Sequence, residues 1–383
     1  MAVLEENFPG IPPFPDDVVT APLYRLSLEK LLNKDQDEVR RFCTACEDLG
    51  FFYLDFRGTK QGEVILDEAD KLFGVGERLF DLDIEEKKKY DFSQKNSYFG
   101  YKAAGAAVVD KKGNRDRNEF YNVRVEPIIA LIYKFARLFL DQIAKKKPTQ
   151  VSKDDILDVA EHWPAPELLH QSRPLLKSFM ANAHAVVTLI LNLLNGHLEL
   201  PESTLVNKHR INRPTGDQVR FIKAPPQPMN DRRTALGQHT DFGSVTVLFN
   251  RVGGLQILPP GKDAEWCYVR PLPGHAIINL GDAMVKFTNG LLRSNIHRVV
   301  SPPGAQADVT RYSLVYFSRP EEDVLLKRLD GSSKIPPLPE GVVEEDIKSK
   351  DWIIRRGLGN RVDLHKKIDY EKSAGTELLS RRL

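Results

Sequence analysis

His239-Thr240-Asp241, His297 and Arg311-Tyr312-Ser313 are the residues of this 383-residue chain whose types and spacing point to chemistry. Two imidazoles and one carboxylate suit a divalent iron that keeps coordination positions open. A guanidinium fork beside a hydroxyl suits a small dicarboxylate held by one end. In a strand, residues i and i+2 share a face. His239 and Asp241 are therefore expected to project together, with Thr240 turned away. His297 sits in the strand-like run Ser294 to Val300, far enough on for several strands to fold back first. Arg311 and Ser313 repeat the i, i+2 spacing one hairpin later, across the turn Pro302-Pro303-Gly304.

Zinc is the competing metal for the same three ligands. The Arg311/Ser313 anchor, for which a zinc hydrolase has no evident need, favours iron used with a keto acid. A lone histidine is more often structural than a ligand, and His-x-Asp alone is weak. The Gly237-Gln238 turn, the distal His297 and the Arg-x-Ser pair together reverse that weighting. The other histidines (His162, His170, His184, His197, His209, His275 and His365) read as core or surface residues. His275, in Pro273-Gly274-His275, is the one decoy near the strands.

From about residue 205, short apolar runs alternate with Pro and Gly turns. They are Val219 to Ile222, Ser244 to Phe249, Leu255 to Leu258, Cys267 to Val269, Ala276 to Leu280, His297 to Val300 and Tyr312 to Phe317. Short strands at this spacing indicate a sandwich or barrel rather than a parallel sheet. Upstream, residues 35–49 carry an amphipathic helical pattern that Gly50 is placed to end. Phe51 to Phe56 is strand-like, and residues 62–80, 84–90 and 165–196 look helical, the last ending at Gly196. Gly74-Val75-Gly76 lacks the third glycine and the preceding strand of a dinucleotide fingerprint. The expected fold is α+β, a double-stranded β-helix (jelly-roll) core with a helical N-terminal region packed against it. The expected domains are an N-terminal part (1–124), a segment 125–150, backing helices (151–204), the jelly roll (205–320) and a C-terminal extension (321–383). The segment 125–150, ending in Lys145-Lys146-Lys147-Pro148, reads as an insertion or a retained intron. In the extension, Glu344-Glu345-Asp346 and Arg355-Arg356 read as solvated faces.

Composition is that of a globular chain, 41% hydrophobic and 28% charged,. A net charge of +2 offers no electrostatic case for nucleic acid or a membrane surface,. The longest apolar run, Ala185 to Leu194, is too short to span a bilayer. Cys43 and Cys46, a C-x-x-C on a helical pattern with no second pair, read as structural thiols. The N-terminus lacks signal-peptide character, so a reducing cytosol is the expected location. A small-molecule substrate is the expected partner.

The chain resembles the Fe(II)/2-oxoglutarate-dependent dioxygenase superfamily, in its isopenicillin N synthase-like branch of fungal and bacterial type. The resemblance rests on Cys46 to Tyr53, Tyr98-Phe99-Gly100-Tyr101, Asn118 to Asn122, Gly237 to Gly243, Gly253-Gly254-Leu255-Gln256, Asn279-Leu280-Gly281-Asp282, Thr288-Asn289-Gly290 and Ser294 to Arg298. It implies iron ligation by His239, Asp241 and His297, and 2-oxoglutarate held by Arg311 and Ser313. It implies consumption of O2, release of succinate and CO2, and a ferryl species that hydroxylates, desaturates or epoxidises a bound metabolite. Where plant members carry Asn and Tyr near the cosubstrate, this chain has Ile222 and Ala224, which implies a roomier, more apolar site. Arg220 shares their strand face and Phe317 shares that of Arg311, so both are candidate substrate contacts. Two other readings fit the same residues: an iron oxidase of this fold that needs no keto acid, and a non-catalytic binding protein.

Overall fold

The structure, a computed structural model, describes residues 7–95, 97–110, 112–124, 164–227, 234–261, 263–359 and 375. The segment 125–150 lies outside the described residues, as do His162 and His365.

In chain order the strands are β1 (Arg25–Ser27), β2 (Phe51–Asp55), β3 (Gly100–Lys102), β4 (Glu119–Arg124), β5 (Gln218–Ala224), β6 (Leu236–His239), β7 (Val245–Asn250), β8 (Leu255–Ile257), β9 (Cys267–Tyr268), β10 (His275–Leu280), β11 (His297–Val299) and β12 (Arg311–Ser318). The helices are α1 (Leu28–Leu32), α2 (Gln36–Asp48), α3 (Lys60–Phe80), α4 (Ile84–Lys88), α5 (Glu167–Gln171), α6 (Arg173–His197), α7 (Asp282–Phe287) and α8 (Ser349–Leu358).

Local chemistry explains most of these limits. Asp35 caps α2 by accepting the Glu38 N–H, and Thr59 caps α3 by accepting that of Gly62. Each such cap contributes roughly 1 kcal/mol. Gly50 turns the chain out of α2 at φ +64°, where a side chain would run into the Arg293 carbonyl,. Phe51 then starts β2. At the end of α6 the expectation fails. The helix runs through Gly196 to His197, and Glu199, at φ +52°, makes the left-handed exit. Asn195 holds this exit by donating its side-chain amide to the Leu200 carbonyl,.

The strands form two sheets. The larger has the order β1-β2-β10-β7-β12-β5-β4-β3, antiparallel except for β1 with β2. The smaller has the order β6-β11-β8-β9 and is antiparallel throughout. This is the expected jelly-roll layering, with one addition. The N-terminal part joins the larger sheet: the expected strand β2 extends one edge with β1, and β3 and β4, which were not expected, extend the other.

Strand alternation divides the larger sheet into two faces. Along β12, Leu314 and Tyr316 point to the helices and are fully buried there, with Phe221 of β5 and Val247 and Phe249 of β7. α3 and α6 cover that face. By length and composition α6 could cross a membrane, but its stripe of Leu176, Phe179, Ala183, Val187, Ile190 and Leu194 is buried in this core. Gly76 of α3 lies where a Cβ would touch the Phe221 ring, so the glycine serves close packing of helix on sheet. Cys43 and Cys46 are buried in α2, and burial raises both thiols, Cys43 to about 11. The opposite face of the sheet looks onto the smaller sheet across the cavity described next.

Candidate active site

His239 ends β6 and His297 begins β11, and the two are paired residues across that antiparallel ladder. Cross-strand pairing therefore joins two histidines that are distant in sequence, with ring centroids 4.3 Å apart,. Each ring is oriented by its own chain. His239 Nδ1 donates to the Gly237 carbonyl at 2.8 Å, and His297 Nδ1 to the Asn295 carbonyl at 3.1 Å. A carbonyl can only accept, so both Nδ1 atoms carry a proton, which leaves Nε2 of each ring as the atom turned to the shared point,. The Phe51 ring packs edge-on against His297 at 5.4 Å.

Asp241 reaches the same point by a different route from the expected one. β6 stops at His239, so Asp241 is not its strand neighbour by alternation. It lies in the turn before β7, where the Asp282 N–H donates to the Asp241 carbonyl at 2.7 Å. Its carboxylate is split in function. Oδ2 accepts from Thr246 Oγ1 at 2.6 Å and from Asn279 Nδ2 at 2.7 Å, both on the cavity face of the larger sheet. Oδ1 faces His239 Nε2 at 3.9 Å and His297 Nε2 at 3.8 Å. The three potential ligand atoms lie within 4.8 Å of one another.

Burial foremost, and then the neighbouring His297, push the His239 imidazole down to about 3. Burial opposes ionisation of Asp241, but His297, His239 and the two hydrogen bonds outweigh it and hold the carboxyl below its usual range,. The donor set is two imidazole nitrogens and one carboxylate oxygen, which fits a divalent iron or zinc,.

β12 sends Arg311, Ser313, Val315 and Phe317 to this cavity in strict alternation, and Arg319 follows the strand's end. Arg311 is buried, donating to the Gly253 carbonyl at 2.8 Å and to Ser313 Oγ at 2.7 Å. Burial lowers its guanidinium to about 10. Among the described residues it has no carboxylate partner, and burying an unpaired charge is costly. An anion entering the cavity would relieve that cost. Ile222 pairs with Ser313 and Ala224 with Arg311 in the adjoining strand, so the neighbouring wall is apolar, as expected.

Farther along the cavity, Arg220 pairs with Val315. Its guanidinium lies between the Phe120 ring, at 4.2 Å, and the Phe317 ring, at 5.0 Å, and Nε donates to Asn122 Oδ1 at 2.7 Å. Burial and Arg319 lower it to about 9. Lys223, of opposite parity, approaches Asp81 at 3.6 Å. All seven candidate residues therefore line one cavity. Sequence reasoning did not single out Thr246 and Asn279, which orient Asp241, or Phe120 and Asn122, which flank Arg220. Asn279 could have been found, because it opens the family-like Asn279-Leu280-Gly281-Asp282. The solvated reading of Arg356 is overturned: Arg355 does pair with Glu345 near the surface, but Arg356 is buried at the cavity.

Four of the other described histidines hold structural bonds. His209 bridges the Leu205 carbonyl and Ser244 Oγ, His184 contacts the Tyr316 hydroxyl, and His197 meets Glu47. His275 bonds the Pro273 carbonyl.

Comparison with known proteins agrees with this geometry. Residues 201–320 match the 2OG-Fe(II) oxygenase superfamily, and residues 21–164 match the N-terminal region described as non-haem dioxygenase in morphine synthesis. A 2-oxoglutarate-dependent dioxygenase of Aspergillus fumigatus is 31% identical over 91% of this chain and 88% of its own length. Another, of Glarea lozoyensis, is 29% identical over 81% of this chain and 83% of its own. The fold is shared with a full-length Neurospora crassa protein solved in complex with alpha-KG, with a TM-score of 0.66 at 18% identity, covering 90% of this chain and 98% of that one. The chain belongs to the 2OG-Fe(II) oxygenase superfamily. It is an oxidoreductase that uses iron and 2-oxoglutarate.

Proposed function

We propose that His239 Nε2, Asp241 Oδ1 and His297 Nε2 hold the iron, and that Arg311 with Ser313 anchors the far carboxylate of 2-oxoglutarate. The observation that carries this assignment is the buried Arg311 cation, without an anionic partner among the described residues, in the same cavity as the three ligands. When bound, iron and 2-oxoglutarate supply the activation of O2, with succinate and CO2 as by-products. The chain's own residues do the rest. The Nδ1–H bonds to backbone carbonyls fix the ring orientations and aim both Nε2 atoms at the site,. Thr246 and Asn279 hold Asp241 to one free oxygen. Arg311 sets the direction in which the cosubstrate lies. Leu248, Leu255, Val299 and Ile222 give the cavity apolar walls that keep water from the reacting centre,.

Arg220 and Phe317 are proposed to contact the primary substrate, a small metabolite of the kind handled in secondary metabolism. Similarity to fungal oxygenases supports that class. The flat Phe120–Arg220–Phe317 stack suits an oxygenated or aromatic molecule. The test is incubation of the protein with Fe(II), 2-oxoglutarate and a metabolite panel, read by mass. The expected product is one oxygen heavier or two hydrogens lighter than its substrate, with one succinate released per turnover. Product formation without succinate would instead indicate an oxidase independent of the keto acid.

A further inference from the structure

The central turn of the site lies outside the β6 and β7 ladders. β6 ends at His239 and β7 begins at Val245, so residues 240–244 belong to neither strand. Asp241, the one anionic ligand, lies in this gap. Its own carbonyl is bonded by the Asp282 N–H. The carbonyls on either side are bonded by one distant helix. Arg356 Nη2 donates to the Thr240 carbonyl at 3.0 Å, and Trp352 Nε1 donates to the Phe242 carbonyl at 3.0 Å. Trp352 and Arg356 are i, i+4 on the buried stripe of α8, so both reach the turn from one helix face,.

An ion pair locks this contact. Arg356 Nη1 binds Asp282 Oδ2, and their side chains are 1% and 0% exposed. The same Asp282 oxygen accepts from Thr240 Oγ1 at 2.9 Å. Asp282 therefore joins the turn, α7 and α8 through one carboxylate. Three successive carbonyls, 240 to 242, are held where a strand ladder would otherwise hold them. α8 lies beyond residue 320, outside the part of the chain that matches the oxygenase family model.

We propose that α8 is a clamp on the metal-binding turn, with Arg356 and Trp352 as positioning residues that set Asp241 for ligation. The proposal rests on the assignment of His239, Asp241 and His297 as ligands. Loss of an outer partner of this kind typically weakens metal binding about 10- to 100-fold.

The test measures Mn(II) affinity by calorimetry, with the melting temperature of the metal-free protein recorded beside it. Arg356→Ala removes the cation from a buried ion pair, which can prevent folding,. Trp352→Phe removes one hydrogen bond and keeps the ring, and Arg356→Met with Asp282→Asn removes the ion pair without leaving a buried charge. For the double variant the expected result is Mn(II) binding about 10- to 100-fold weaker. Trp352→Phe should weaken it by a smaller factor, and neither metal-free variant should melt far from wild type. Unchanged Mn(II) affinity in both variants, whatever the melting temperature, would overturn the clamp. His297→Ala in the same assay separates the two readings. If it abolishes Mn(II) binding while the α8 variants do not weaken it, only the clamp fails. If it leaves Mn(II) binding intact, the ligand assignment fails.

Discussion

The two faces of the larger sheet are built from alternate residues of the same strands, yet they obey opposite rules. On the helix side, Phe221, Leu314 and Tyr316 fill a core in which most contacts are apolar. On the cavity side, Arg220, Ser313 and Arg311 place polar and charged groups where burial disfavours them, and burial accordingly lowers both arginines. One face secures the fold. The other holds charge for which the described residues supply no anion at Arg311. Substitutions should therefore separate stability from binding according to the parity of the residue.

The largest effect is expected on the helix side. Phe221→Ala opens a void between β5 and α3 and should cost about 3–5 kcal/mol of stability. Denaturant unfolding would measure it, and where the variant still folds its 2-oxoglutarate affinity should stay close to wild type. Next comes the opposite face. Arg311→Met should weaken 2-oxoglutarate binding by about 100-fold, because it truncates a buried charge-assisted contact. The metal-free protein should unfold within about 1 kcal/mol of wild type, since an unpaired buried cation contributes little to stability. If Arg311→Met lost stability and kept cosubstrate affinity, the division between faces would not hold.

The smallest effect concerns pH. His209 packs edge-on against Phe287 in the helix-side core, and burial pushes it down to about 4. Between that value and its ordinary 6.5, the unfolded chain binds a proton that the folded chain refuses. Stability is therefore fully present above the unfolded value and is lost as pH falls toward 4. From pH 7 to pH 5 the loss from this residue should be about 2 kcal/mol. Urea unfolding of wild type and His209→Gln at both pH values would isolate it as the difference between their two losses.

The same parity explains what could be read from the sequence. β12 was legible because Arg311, Ser313 and Phe317 alternate with apolar residues and carry the chemistry themselves. The His239/His297 pair was legible because histidine is infrequent in this chain and the surrounding motifs are distinctive. β3 and β4 were not, because Gly100–Lys102 and Glu119–Arg124 mix polar and aromatic residues without clean alternation. β4 is placed by pairing with β5, about a hundred residues later, and β3 by pairing with β4. The location of Asp241 was anticipated, but its support was not. A turn held from Asp282, Trp352 and Arg356 leaves no periodic trace, and Arg355-Arg356 looks like a surface charge run until helix geometry turns one arginine out and the other in.

The central claim is that three ligands and one arginine form a single binding unit. Calorimetric titration of 2-oxoglutarate into Mn(II)-loaded protein tests it most directly, using wild type, His297→Ala and Arg311→Met. Wild type should bind 2-oxoglutarate tightly only when Mn(II) is present. Arg311→Met should keep the metal but need about 100-fold more 2-oxoglutarate, and His297→Ala should show no metal-dependent binding. Equal 2-oxoglutarate affinity in all three proteins would contradict the account.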